Sequence, residues 1–125
     1  MLYKEITEKI IAAAMQVHKT LGNGFQEVIY QRAMAIEMTH LKIGFEREKE
    51  MPIFYKGEQI GTRRADFFIE NKIMVELKAI IVLEDVHLAQ AMNYLEAYRM
   101  EIGLLINFGA KSLEFKRVYN NKLLQ

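Results

Sequence analysis

A chain of 125 residues with 51% hydrophobic content can bury one core and has no room for a second, so residues 1–125 are expected to form a single domain. The formal charge of +1 supplies no general field for nucleic acid, and any such affinity must come from a local patch. The absence of Cys excludes disulfides, thiolate metal sites and a cysteine nucleophile, and a lone Ser, Ser112, makes a serine hydrolase unattractive.

The opening Met-Leu-Tyr-Lys-Glu-Ile is amphipathic and carries an acid, with no apolar signal core. No apolar run of about 18 residues follows, which points to a soluble cytoplasmic protein and away from a membrane. From Leu2 to Leu21 the apolar positions Ile6, Ile10, Ala13, Ala14, Val17 and Leu21 keep helical spacing, and Gly22 suits the C-terminal cap. Gly22-Asn23-Gly24 reads as a tight turn before a second helix from about Phe25 to Leu41. Glu27, Tyr30, Met34, Met38 and Leu41 share one stripe of that helix. Glu27 is the only charge on the stripe. A carboxylate there complements the helix dipole, but the dipole does not explain why it points with the apolar residues toward the sheet.

Two strands are expected around Phe45 to Glu50 and Ile53 to Tyr55, with Pro52 between them and Gly57 at a turn. They would precede the next segment in a mixed or antiparallel sheet. Arg64 to Ile80 reads as a β-hairpin that carries acids. Ala65, Phe67 and Ile69 alternate with Arg64, Asp66, Phe68 and Glu70 in the first arm. In the second, Ile73, Val75, Leu77 and Ala79 alternate with Met74, Glu76, Lys78 and Ile80, so Glu76 and Lys78 share the face opposite the aliphatic row. If both apolar rows cover one core, the loop must hold an odd number of residues, and a three-residue loop Glu70, Asn71, Lys72 sets Asp66 opposite Glu76. Facing carboxylates repel. A divalent cation removes the conflict, since Asp and Glu oxygens are the ligands that Mg²⁺ prefers. Taken alone, Glu-x-Lys on a strand is more often a solvated face.

A third helix is expected from about Asp85 to Arg99, with Asp85 as cap and with Gln90 and Tyr94 on one face. Gly103 to Gly109 is continuously apolar, as a central strand buried on both faces should be. Leu113 to Tyr119 is a last strand or short helix, and Asn120 to Gln125 a frayed tail. The order describes a small α/β sandwich. His18 suits a packed or hydrogen-bonded histidine, His40 and His87 surface positions, and Tyr30 a core residue that positions Glu27.

Glu27 on an early helix, Asp66 on a strand, Glu76-Leu77-Lys78 on the next strand, and Gln90 with Tyr94 on the following helix are similar in order to the motifs of the PD-(D/E)XK nuclease superfamily, particularly its RecB-like branch. Gly24-Phe-Gln-Glu27-Val-Ile-Tyr30 resembles the signature of its small GxxExxY proteins. Ala65 stands where the superfamily's name has Pro.

The resemblance implies a restriction-endonuclease-like core, a central mixed sheet flanked by helices. It also implies Mg²⁺-dependent hydrolysis of DNA, with Mn²⁺ as possible substitute. Asp66, Glu76 and the Leu77 carbonyl would hold the metal, and Glu27 would join directly or through water. Lys78, kept protonated by the carboxylates, would orient the attacking water and offset transition-state charge. Gln90 would hydrogen-bond Lys78 or the nucleophile, while Tyr94 would fix its helix face or touch a phosphate. Arg63, Arg64, Lys111, Lys116 and Arg117 are candidates for phosphate contacts, although scattered surface cations are the commoner explanation. The small, nearly neutral surface suggests that a homodimer or partner protein helps to grip DNA. The alternative is a non-catalytic nucleic-acid or protein interaction module on the same fold.

Overall fold

The computed structural model describes residues 3–123; Leu2 and the tail residues Leu124 and Gln125 lie outside them. The chain runs α1 (Lys4–Leu21), α2 (Glu27–His40), β1 (Phe45–Arg47), β2 (Glu50–Tyr55), β3 (Glu58–Arg64), β4 (Phe67–Ile69), β5 (Ile73–Lys78), α3 (Asp85–Tyr98), β6 (Ile102–Asn107) and β7 (Glu114–Tyr119). A five-stranded mixed sheet in the order β1-β4-β5-β6-β7 forms the middle layer, and β2 with β3 forms a separate antiparallel ribbon. Only β5 and β6 are parallel, joined by the crossover through α3.

Strand alternation sorts the side chains between the two faces. Phe67, Ile69, Ile73, Val75, Leu77, Ile102, Leu104 and Ile106 meet Ile10, Ala14, Val17, Tyr30, Met34 and Met38 of α1 and α2. On the other face Phe68, Met74, Leu105 and Val118 meet Ala91 and Leu95 of α3. All six residues of β6 are buried, as the apolar run requires. Gly103 lets α3 come close, because a Cβ there would stand 3.2 Å from Leu95 Cδ2. The second helix is shorter than expected, and its buried stripe is Tyr30, Met34 and Met38.

Several expectations need correction. Pro52 lies inside β2, where a ribbon edge tolerates its missing N–H, and is not a break between strands. The polar segment Glu58–Arg64 is a strand in its own right. Lys56 (φ 49°) and Gly57 (φ 81°) turn β2 into it with the two left-handed residues of a type I′ hairpin. Arg64 therefore closes β3 and is not part of the acidic hairpin. The alternation also breaks before Phe67, so Ala65 is buried on the α3 face and not beside Phe67 and Ile69. Glu84, not Asp85, caps α3, and its N–H donates to His87 Nδ1 at 2.9 Å. Asn120 is not frayed: it is 1% exposed and its amide donates to the Leu95 carbonyl.

Candidate active site

The hairpin closes as its parity demands. Phe67 pairs with Val75 and Ile69 with Ile73, leaving Glu70, Asn71 and Lys72 in the loop; the pairing ends there, and Asp66 lies just beyond it, tied to β5 by the Leu77 N–H. Glu70 (φ 55°) and Asn71 (φ 57°) supply the left-handed turn, and Lys72 N–H donates back to the Ile69 carbonyl at 2.9 Å.

Asp66 is held from two sides. The Gln31 side-chain amide donates to Oδ1 and the Leu77 backbone N–H to Oδ2, each at 2.8 Å. Gln31 is buried on α2, one turn after Glu27, and its Oε1 accepts from Arg47 at 3.1 Å. Burial pushes the Asp66 carboxyl above its ordinary value, while Leu77, Gln31, Arg63 and Lys78 pull against it. Leu77 points its side chain into the core facing α1 and α2, and its backbone reaches Asp66.

Glu76 is 4% exposed. Its Oε2 accepts from Arg63 at 2.7 Å, and its Oε1 is buried without a partner. Burial pushes this carboxyl up to about 8, outweighing the Arg63 guanidinium beside it; Asp66 and Glu27 push the same way. A single hydrogen bond does not replace the water lost on burial. Glu27 opens α2 and remains exposed as a residue. Its carboxyl is nonetheless raised, first by lost solvent and then by Asp66, with Lys78 and Arg63 opposing.

The turn before Glu27 is fixed from below. Tyr30 Oη donates to the Gly22 carbonyl at 2.6 Å and accepts the Phe25 N–H at 3.1 Å, and its ring stacks on Phe108 with centroids 4.7 Å apart. The sequence spacing of Gly24, Glu27 and Tyr30 thus has a physical content: a tyrosine beneath the turn aims the helix start. His18 bonds the Ala110 carbonyl at 2.9 Å, on the opposite side of the core from α3.

Lys78 is half-buried at the end of β5 and shares a cleft with Arg63, Glu76, His87, Gln90 and Tyr94. Glu27, Gln31, Glu48 and Asp66 line the adjoining hollow. Gln90 is exposed and Tyr94 half-buried, both on the side of α3 that faces the acids. Lys116 falls on the sheet row Glu76, Leu105, Lys116, about 10 Å from Glu76 across two strand spacings. Arg64 points away from the cluster and pairs with Glu50 at 3.8 Å. Its neighbour Arg63 takes the inward position, with its guanidinium 4.1 Å from the Tyr94 ring.

Three of these residues had little signal. Gln31 is visible only as the position one turn after Glu27; His87, expected at the surface, is half-buried, lines the cleft and accepts the Glu84 N–H; and Arg63, one of five phosphate candidates, is set apart from them only once β3 is known to be a strand. Among the described residues no three acid or histidine side chains converge as a ready metal cage. Both oxygens of Asp66 and one of Glu76 are already engaged.

The sequence pattern of the PD-(D/E)XK nuclease superfamily matches residues 4–118. The crystal structure of SSO0001 is similar in fold, with a TM-score of 0.56 at 20% identity over 73% of this chain and 48% of that one. The chain thus spans about half the length of that structure. No curated protein matches. Asp66, expected on a strand, instead sits in the bend just before β4, beside Glu76 of β5, and the match over most of the chain makes this protein a member of the PD-(D/E)XK nuclease superfamily.

Proposed function

We propose that this domain is a Mg²⁺-dependent deoxyribonuclease of the GxxExxY type, in the RecB-like branch, acting in the cytoplasm and hydrolysing phosphodiester bonds with an activated water. The observation that carries the reading is the buried, unpartnered Oε1 of Glu76 beside Asp66, Glu27 and Lys78. A buried acceptor without a donor is costly, and an all-oxygen donor set suits a hard divalent cation.

Glu76, Asp66, the Leu77 carbonyl and Glu27 would hold that cation, which supplies Lewis acidity to the phosphate and lowers the pKa of a water. Gln31 and the Leu77 N–H fix the Asp66 carboxylate in its rotamer, so it need not be ordered at the moment of reaction. Lys78, projecting from the same strand face as Glu76, orients the water and meets the charge that develops on the phosphate. Gln90 lies within the same cleft to support Lys78 or the water, and Tyr94 forms its wall. Lys116, farther along the row, is placed to meet a neighbouring phosphate, whereas Arg64 falls outside the cleft and we move its part to Arg63. A second copy or a partner protein would complete the grip on DNA.

One observation favours the alternative of a non-catalytic nucleic-acid or protein module: Arg63 already occupies one oxygen of Glu76 at 2.7 Å, as a purely structural pair would. The two readings separate in a cleavage assay with plasmid, single-stranded DNA and RNA, in Mg²⁺ and in chelator. The nuclease reading expects chelator-sensitive cleavage of DNA, with Lys78→Ala folded but slower by about 10²–10³-fold. Binding without cleavage, unchanged in Lys78→Ala, would establish the module.

A further inference from the structure

We infer that Arg63 is a resident counter-ion, held on Glu76 until a divalent cation takes its place, and that its release loosens the β2–β3 ribbon. The inference rests on the metal-site reading above and deepens it.

Arg63 and Glu76 form an ion pair one bond short of complete. An arginine beside a carboxylate commonly donates two parallel bonds through its fork. Here one terminal nitrogen donates to Oε2 at 2.7 Å, while Nε and Oε1 are both buried and both unpartnered. The pair leaves the Arg63 Nε and the Glu76 Oε1 unmet, so it engages Glu76 without satisfying it. Such a pair is easier to exchange than a closed fork. One guanidinium contact thus offsets only part of the cost of burying an acid that is 4% exposed.

In the same position the guanidinium already rests on an aromatic face that it keeps if the Glu76 bond is lost. It lies 4.1 Å from the Tyr94 ring, and its side chain keeps 29% exposure, so it can turn outward along the ring face without crossing the core. Arg63 belongs to β3, in a ribbon that shares no strand pairing with the main sheet. Its partner across the ribbon, Met51, rests on the apolar cluster beneath α3. The Arg63 bond is thus the ribbon's polar tie to the acids. A cation on Glu76 repels the guanidinium, and cutting the tie leaves mainly Met51 to dock the ribbon.

The test uses the whole chain and Mg²⁺ alone. Calorimetry first establishes whether Mg²⁺ binds. The side-chain Nε signal of Arg63 and amide exchange across β2 and β3 are then followed by NMR with and without saturating Mg²⁺, on the unaltered protein. In parallel, Arg63→Gln and the milder Arg63→Lys are melted in both conditions. We expect the Arg63 signal to move, ribbon amides to exchange about tenfold faster while β5 and β6 are unchanged, and the melting deficit of Arg63→Gln to vanish in Mg²⁺. Mg²⁺ that binds with the Arg63 signal and ribbon exchange unmoved, and with the deficit undiminished, overturns the exchange and leaves the metal site standing. No Mg²⁺ binding at all overturns both. Should Arg63→Gln fail to fold, the NMR arm and Arg63→Lys decide.

Discussion

Glu76 concentrates the energetics of the site in one side chain. Its carboxyl is raised from an ordinary 4.5 to about 8, chiefly by burial, and Asp66 and Glu27 are raised as well. The folded state therefore holds a proton that the unfolded chain gives up near its ordinary value. For such a group the stabilising contribution is whole below that value and is lost as pH rises through the folded one. The metal-free protein should lose stability between about pH 5 and about pH 8, and Glu76→Gln, which cannot ionise, should flatten that slope in urea melts across the range. A slope unchanged in Glu76→Gln would place the titration elsewhere. Because a ligand carboxylate must be deprotonated, Mg²⁺ affinity should climb over the same interval, with protons released on binding.

At the level of elements, two glycines decide how closely α3 and the β5–α3 link approach the sheet. A Cβ on Gly103 would meet Leu95 Cδ2 and the Met74 carbonyl at 3.2 Å, and one on Gly109 would collide with the backbone of Ala79 and Ile80. Leu95 can yield a little; the backbone cannot. Gly103→Ala should cost about 1–3 kcal/mol in denaturant melts, and Gly109→Ala more, with loss of the folded protein at the extreme. A Gly109→Ala protein as stable as Gly103→Ala would contradict this ordering. The same elements mark what sequence periodicity can reveal. The β6 run, the Tyr30-Met34-Met38 part of the α2 stripe and the parity of the acidic hairpin are legible, because each buries an apolar row whose spacing is dictated by the core; Leu41, read on the same stripe, caps α2 and is 43% exposed. The ribbon was not, since β3 (Glu-Gln-Ile-Gly-Thr-Arg-Arg) is largely exposed and has no core to impose alternation. With β3 unseen, periodicity starts the hairpin at Arg64 and does not choose the inward residue, Arg63, over its neighbour. Gln31 escaped for a related reason: its role is a hydrogen bond to Asp66, and a hydrogen bond leaves no periodic trace.

Across the whole molecule, one sheet serves as both core and scaffold. Its α1/α2 face is closed by apolar packing, while on the α3 face the apolar cover ends at Glu76 and Lys78, where the cleft begins. Both faces share the same strands, so helices and sheet should unfold together. Calorimetric melting should give one transition with equal calorimetric and van't Hoff enthalpies, as a single domain requires; two separated transitions would refute that. No helix among the described residues is long and apolar enough to cross a membrane. The proposed function stands on Asp66 and Glu76 as ligands of a divalent cation. Calorimetric titration with Mn²⁺ at about pH 8.5, where the Glu76 carboxyl is largely ionised, tests it most directly in the wild type, Asp66→Asn and Glu76→Gln. Saturable binding to the wild type, abolished by each substitution in folded protein, is expected. Identical isotherms for all three proteins would contradict it.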